Sequence, residues 1–161
     1  MCDVNHTMPS GIATAGNNKP AVLPYRILIV DDEPDITLSL KVGLEQEQEG
    51  EEEKEEVRTG RRGFVVDTSN DPVQTLSHFK PGVYDLLVID IKMPKMNGFE
   101  LYKEIRKIDD NVKVCFLTAA EIYYNEYRRV FPKLNIRCFA SKPISTKELA
   151  NRIKEEVVQQ Q

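Results

Sequence analysis

Asp90 closes the apolar run Leu86-Leu87-Val88-Ile89 and opens a loop rich in turn formers, Ile91-Lys92-Met93-Pro94-Lys95-Met96-Asn97-Gly98. A carboxylate at such a junction is expected to be exposed and placed for chemistry. Three more positions repeat the pattern: Asp31-Asp32 after Ile27-Leu28-Ile29-Val30, Thr118 after Val114-Cys115-Phe116-Leu117, and Lys142 just past Ile136-Arg137-Cys138-Phe139-Ala140. If these runs are strands of one parallel sheet, all of these side chains fall on its carboxyl edge. Open α/β sheets carry their sites there, where the strand order reverses.

Such a set of residues suits phosphoryl chemistry. Two carboxylates about 4 Å apart repel by roughly 4 kcal/mol at an effective dielectric near 20, so Asp31, Asp32 and Asp90 need compensation if they cluster. A hard divalent cation supplies it, and Mg2+ prefers oxygen ligands. An aspartate can act as a nucleophile towards phosphorus, and transfer then depends mainly on positioning and on neutralising the phosphoryl oxygens. Taken singly, each residue has a plainer reading. A strand-end Asp usually caps a helix or turn, and Asp31 or Asp32 could do so before Pro34. Thr118 could be an ordinary strand-end hydroxyl and Lys142 a solvated charge; the joint arrangement favours the site.

The elements that must position these residues are legible from periodicity. Residues 1–23 mix Asn, Gly, Thr, Ala and Pro without periodicity and read as a flexible N-terminal tail, with the domain spanning 24–161. From Tyr25 onward, strand-length apolar runs alternate with helical patterns. Helices are expected from Asp35 to about Leu44 (Ile36, Leu40 and Leu44 on one face), from Asp71 to about Phe79 (Val73, Leu76, Phe79), and from Gly98 to Ile108 (Leu101, Ile105). Two more are expected from Glu121 to Phe131 and from Thr146 to Val158 (Leu149, Ile153, Val157). Five strands alternating with five helices predict a doubly wound α/β domain.

The chain resembles a response-regulator receiver domain of two-component signalling. The resemblance rests on Val30-Asp31-Asp32-Glu33-Pro34, on Asp90 through Leu101, on Leu117-Thr118-Ala119-Ala120 and on Ser141-Lys142-Pro143, and covers the chain from about Tyr25 to its end. It implies a flavodoxin-like fold, a five-stranded parallel sheet in the order 2-1-3-4-5. It implies Asp90 as phosphorylation site, with Thr118 and Lys142 binding phosphoryl oxygens. Mg2+ would be held by Asp32, Asp90 and the backbone carbonyl of Lys92, and by Asp31 through water. Thr118 and Phe139 would form a switch, read on the face made by the fourth and fifth predicted helices and the fifth strand, where Tyr123, Tyr124 and Tyr127 fall in the fourth helix. The Lys142-Pro143 bond is expected to be cis, the one bond type where cis is cheap. Asn97-Gly98 reads as a turn releasing into the third helix. Donors would be a histidine kinase or a phosphotransfer protein, since His6 lies in the tail and His78 on the polar side of a short helix.

The acidic stretch at about residues 46–62 departs from the resemblance and reads as a solvated insertion, emerging away from Asp90. No apolar stretch approaches the roughly 20 residues of a membrane span, and no export signal is evident. A net charge of -4 gives no footprint for nucleic acid. Three cysteines, two of them (Cys115 and Cys138) in apolar runs as small hydrophobes, suggest a reducing, cytoplasmic setting. A signalling protein that accepts phosphate is thus expected, not an enzyme acting on a separate substrate. A haloacid-dehalogenase enzyme would place its nucleophile before the other motifs and an acid two residues after it, where this chain has Lys92. A flavin-binding domain would need a phosphate loop where Asp31-Asp32-Glu33 would repel one. The remaining alternative is a receiver-like interaction module that works without phosphorylation.

Overall fold

The structure, a computed structural model, describes residues 23–47, 60–119, 129 and 136–159. Five parallel strands form one sheet: β1 (Leu23–Val30), β2 (Arg61–Ser69), β3 (Leu86–Asp90), β4 (Lys113–Thr118) and β5 (Cys138–Ser141), in the order β2-β1-β3-β4-β5. This is the doubly wound, flavodoxin-like arrangement expected from the sequence. Four helices lie among the described residues: α1 (Pro34–Gln46), α2 (Pro72–His78), α3 (Gly98–Ile105) and α4 (Thr146–Val158). The helix expected from Glu121 to Phe131, with its three tyrosines and Ala120 before it, lies outside the described residues apart from position 129, as do 1–22 and 48–59.

Local chemistry sets the helix starts. Pro72 and Pro34 begin α2 and α1, where a missing N–H costs nothing. The Asp71 side chain accepts from the backbone N–H of Val73 and Gln74, Asn97 and Glu100 form a reciprocal capping box, and the Ser145 hydroxyl accepts from Glu148 N–H. Each face of the sheet carries its own apolar layer. Leu40 and Leu44 of α1 and Leu149, Ile153 and Val157 of α4 pack against Ile27, Ile29 and Val88 on one side. Leu101, Tyr102 and Ile105 of α3 pack with Leu28, Leu87 and Phe116 on the other. Gly43 lets α1 approach α4, since a Cβ there would lie 2.1 Å from Thr146 Cγ2.

The periodicity misassigns Val73, which is 46% exposed; α2 is only two turns long and turns Pro72 and Thr75 inward instead. On the outer edge of β2, Val66 is satisfied by α1: Glu45 Oε1 accepts from Val66 N–H at 3.0 Å and the Lys41 ammonium donates to the Val66 carbonyl. Gly60 and Arg61, at the end of the 46–62 stretch, sit at the amino-terminal edge, where Arg61 opens β2 and pairs with Leu23, so the last two residues assigned to the insertion belong to the strand. A second correction concerns the cysteines. Cys115 and Cys138 are register partners on β4 and β5 and are joined by a disulfide, so they are not the free thiols read from their apolar runs. The inference of a reducing compartment from cysteine usage loses its footing. Among the described residues, no helix is long and apolar enough to cross a membrane.

At the amino-terminal edge, the buried Asp109 carboxylate accepts backbone N–H bonds from Gly82 (2.8 Å), Asn111 (3.0 Å) and Val112 (3.2 Å). Burial pushes its pKa up, but the three donors outweigh burial and hold it below the usual carboxylate value. A depressed folded-state pKa contributes stability above the unfolded value, which is lost as pH falls through the folded one. Asp109→Ala is therefore expected to cost about 1–3 kcal/mol near neutral pH. Urea unfolding should show the gap from wild type narrowing as pH falls below the ordinary carboxylate range.

Candidate functional site at the carboxyl edge of the sheet

The strand order places the ends of β1 and β3 side by side, and the predicted site residues converge there. Asp31 is fully buried directly after β1, Asp32 is half-buried, and Asp90 ends β3. One carboxylate oxygen from each lies within 4.8 Å of the others. Asp90 is not the exposed carboxylate expected from its junction: it is 5% exposed. β3 is the central strand, flanked by β1 and β4 and covered by both helical layers, so its last side chain stays inside the rim.

Lys142 reaches the acids from beyond β5. Its ammonium lies 2.7 Å from Asp31 Oδ2, 3.2 Å from Asp90 Oδ1 and 3.9 Å from Glu33 Oε1. The Lys142-Pro143 bond is cis, as expected, and the Lys142 N–H donates to the Thr118 carbonyl at 2.8 Å, tying the lysine to the end of β4. Thr118 is buried at that strand end, in register with Ser141.

The loops are held by short-range bonds. Asp31 Oδ1 accepts from Glu33 N–H at 3.0 Å, so Asp31 serves as a turn cap and a site residue at once. After Asp90, Ile91 N–H donates to the Leu117 carbonyl and Gly98 N–H returns to the Ile91 carbonyl, closing the loop before α3. Glycine is required at 98 by close approach, because a Cβ would stand 2.4 Å from the Asp90 carbonyl oxygen. Lys95 takes a left-handed conformation (φ 70°), and its exposed ammonium pairs with Asp71. An ion pair this open to solvent contributes little to stability.

Electrostatics follow from the crowding. Burial, and then the neighbouring charges of Asp31 and Asp32, push the Asp90 pKa up to about 6 against the opposing pull of Lys142. Burial acts to lower the Lys142 pKa, but its hydrogen bond to Asp31 and the charges of Asp90 and Asp31 leave it raised overall. Three carboxylates around one ammonium leave net negative charge on hard oxygen donors. Asp31, Asp32 and Asp90 could therefore hold an oxygen-seeking cation.

Other expected residues are placed as follows. Lys92 is exposed in the loop after Asp90, and Ala119 is exposed beyond Thr118. Phe139 is half-buried in β5, its ring 5.7 Å from that of Phe116, which in turn lies 4.8 Å from Phe99 at the start of α3. His78 is exposed at the end of α2. The sequence reading assigned no role to Glu33, Thr37 and Asn70, which also face the acidic turn. Glu33 follows the acid pair directly and could have been found. Nothing in the spacing points to Asn70, whose amide nitrogen lies 2.7 Å from the Asp31 carbonyl oxygen.

Comparison with known proteins agrees with this geometry. A family model described as "Response regulator receiver domain" matches residues 52–154. The chemotaxis protein CheY of Treponema pallidum is 31% identical over 153 residues, which cover 93% of this chain and 90% of that protein. The CpxR homolog of Haemophilus influenzae, a transcriptional regulatory protein, is 35% identical over 80% of this chain, but the match spans only 48% of the regulator. Among solved structures, response regulator protein TrrA of Thermotoga maritima, in complex with Mg(2+)-BeF, superposes with a TM-score of 0.60 at 32% identity, covering 81% of this chain and 97% of that one. The receiver domain of HemR from Leptospira biflexa superposes with a TM-score of 0.63 at 25% identity, covering 85% and 96%. The carboxyl-edge acids, the lysine on its cis-proline turn and these matches together place the chain in the response regulator receiver domain family.

Proposed function

We propose that Asp90 accepts a phosphoryl group from a phosphohistidine of a histidine kinase or phosphotransfer protein, and that this switches a protein-binding surface. The observation that carries the reading is the Lys142 ammonium bridging Asp31 and Asp90 beside Asp32 at the carboxyl edge of the sheet. An Asp90 carboxylate oxygen attacks phosphorus; the P–O bond forms as the P–N bond breaks, and its electron pair stays on the departing imidazole. Lys142 and the Thr118 hydroxyl bind phosphoryl oxygens, and small Ala119 leaves the approach open. Asp32, Asp90 and the Lys92 carbonyl would hold Mg2+ directly and Asp31 through water, and the cation would neutralise charge on the transferring group.

Phe139 and Thr118 are assigned to the switch. Bonding of Thr118 to the phosphoryl group would favour an inward Phe139, a shift limited by the differential affinity for the two states. The acidic stretch at about 46–62 is read as an insertion into a receiver domain beginning near residue 24, remote from the chemistry because its flanks lie at the opposite edge of the sheet. Incubation with Mg2+ and acetyl phosphate or phosphoramidate, followed by intact-mass measurement, should show one added phosphoryl group. Labelling that persists when Mg2+ is chelated would overturn the reading.

A further inference from the structure

We propose that Asn70 is a positioning residue that fixes the acidic turn, and with it the cation-binding carboxylates, from the neighbouring edge strand. The inference rests on the phospho-acceptor reading and names a residue that supports it. Asn70 directly follows β2, yet its side-chain nitrogen donates to the Asp31 carbonyl at 2.7 Å and to the Thr37 hydroxyl at 3.0 Å. A carbonyl oxygen can only accept, so the amide nitrogen, not the oxygen, must face Asp31. Thr37 is buried, and its hydroxyl in turn donates a hydrogen bond to the Pro34 carbonyl at 3.0 Å. One side chain thus holds both ends of the segment carrying Asp31 and Asp32: the strand exit at Asp31 and the first turn of α1 at Pro34 and Thr37.

The rest of that segment leaves Asn70 little redundancy. The Asp31 N–H donates to the Ser69 carbonyl at 3.2 Å, so β2 already holds the amide side of Asp31, and Asn70 holds the carbonyl side. The N-cap of α1, Glu33, makes no side-chain capping bond, so the helix start is not fixed by the usual device. The two oxygens of Asp31 are divided between Glu33 N–H and Lys142, and a rotation of its peptide would disturb both bonds. Asn70 touches no reacting atom. Its effect passes through the backbone that aims Asp31 and Asp32.

Asn70→Ala removes both donated bonds, and Thr37→Val removes the link to α1 while leaving the bond to Asp31. Mg2+ affinity, read from backbone amide NMR shifts of Asp31, Asp32 and Asp90 well below the unfolding temperature, is expected to weaken about fivefold in Asn70→Ala and less in Thr37→Val. The two effects should be non-additive, since both residues belong to one network. A purely structural role would lower the melting temperature and leave the Mg2+ titration of the folded protein unchanged. Wild-type affinity in folded Asn70→Ala overturns the assignment. Should that variant not fold, wild-type affinity in Thr37→Val overturns it instead. Wild-type protein that neither responds to Mg2+ nor labels overturns the phospho-acceptor reading and this inference with it. Wild-type protein that does both, beside unaffected variants, overturns the Asn70 assignment alone.

Discussion

Asp90→Asn is expected to take up no phosphoryl group under conditions that label the wild-type protein fully. An amide oxygen is a far weaker nucleophile than a carboxylate, and Asp32 and Asp31 sit in the β1 turn, not at the end of β3, so neither can take its place in line. Loss of at least three orders of magnitude in rate corresponds to roughly 4 kcal/mol or more of barrier. Intact-mass measurement over a time course checks it, and labelling of the variant at the parental rate would remove Asp90 from its role.

The same substitution should make the protein more stable when Mg2+ is chelated, which separates loss of chemistry from loss of fold. Burial and the charges of Asp31 and Asp32 raise the Asp90 pKa from 3.8 to about 6. A raised folded-state pKa means a contribution to stability that is present at low pH and lost as pH rises through that value. The ionised wild-type side chain therefore destabilises the fold near neutrality, by about 1–3 kcal/mol. Asn escapes that cost, and the difference in melting temperature should shrink as pH falls through the window set by 6 and 3.8 and vanish only below its lower limit of 3.8.

Much of this site was legible because strand ends in a parallel sheet share an edge. Asp31, Asp32, Asp90, Thr118 and Lys142 each follow an apolar run, and alternation of strands with helices carries such residues to one rim whatever the detailed packing. What stayed hidden depends on register and on lateral neighbours. The Cys115–Cys138 bond needs β4 and β5 to pair with those two residues opposite one another, which neither run reveals by itself. The bond from Asn70 to Asp31 spans 39 residues and joins strands whose adjacency came only from the resemblance. Asp90 was expected at the surface because the loop after it looks solvated, whereas its burial follows from the central place of β3. Val73 kept a helical period in a helix too short to bury it.

Lys142 divides its charge between two buried carboxylates, and its replacement by methionine should therefore move two observables in opposite directions. Its side chain is 18% exposed and lies 2.7 Å from Asp31 and 3.2 Å from Asp90. In the proposed transfer it would face the phosphoryl oxygens, where negative charge must be held in place. Removing one preorganised donor of this kind typically costs about 100- to 1,000-fold in rate. Without the ammonium, however, the acid cluster is one unit more negative, and a divalent cation should bind the unphosphorylated variant several-fold more tightly. Lys142→Met is thus expected to label about 100-fold more slowly at saturating Mg2+ while showing a lower Mg2+ dissociation constant. Breaking a buried pair also destabilises, so the comparison belongs at a temperature where both proteins are folded by circular dichroism. If labelling and Mg2+ affinity fall together, the lysine acts by holding the loops in shape. If labelling falls while affinity rises, it acts through its charge, as its place between Asp31 and Asp90 requires.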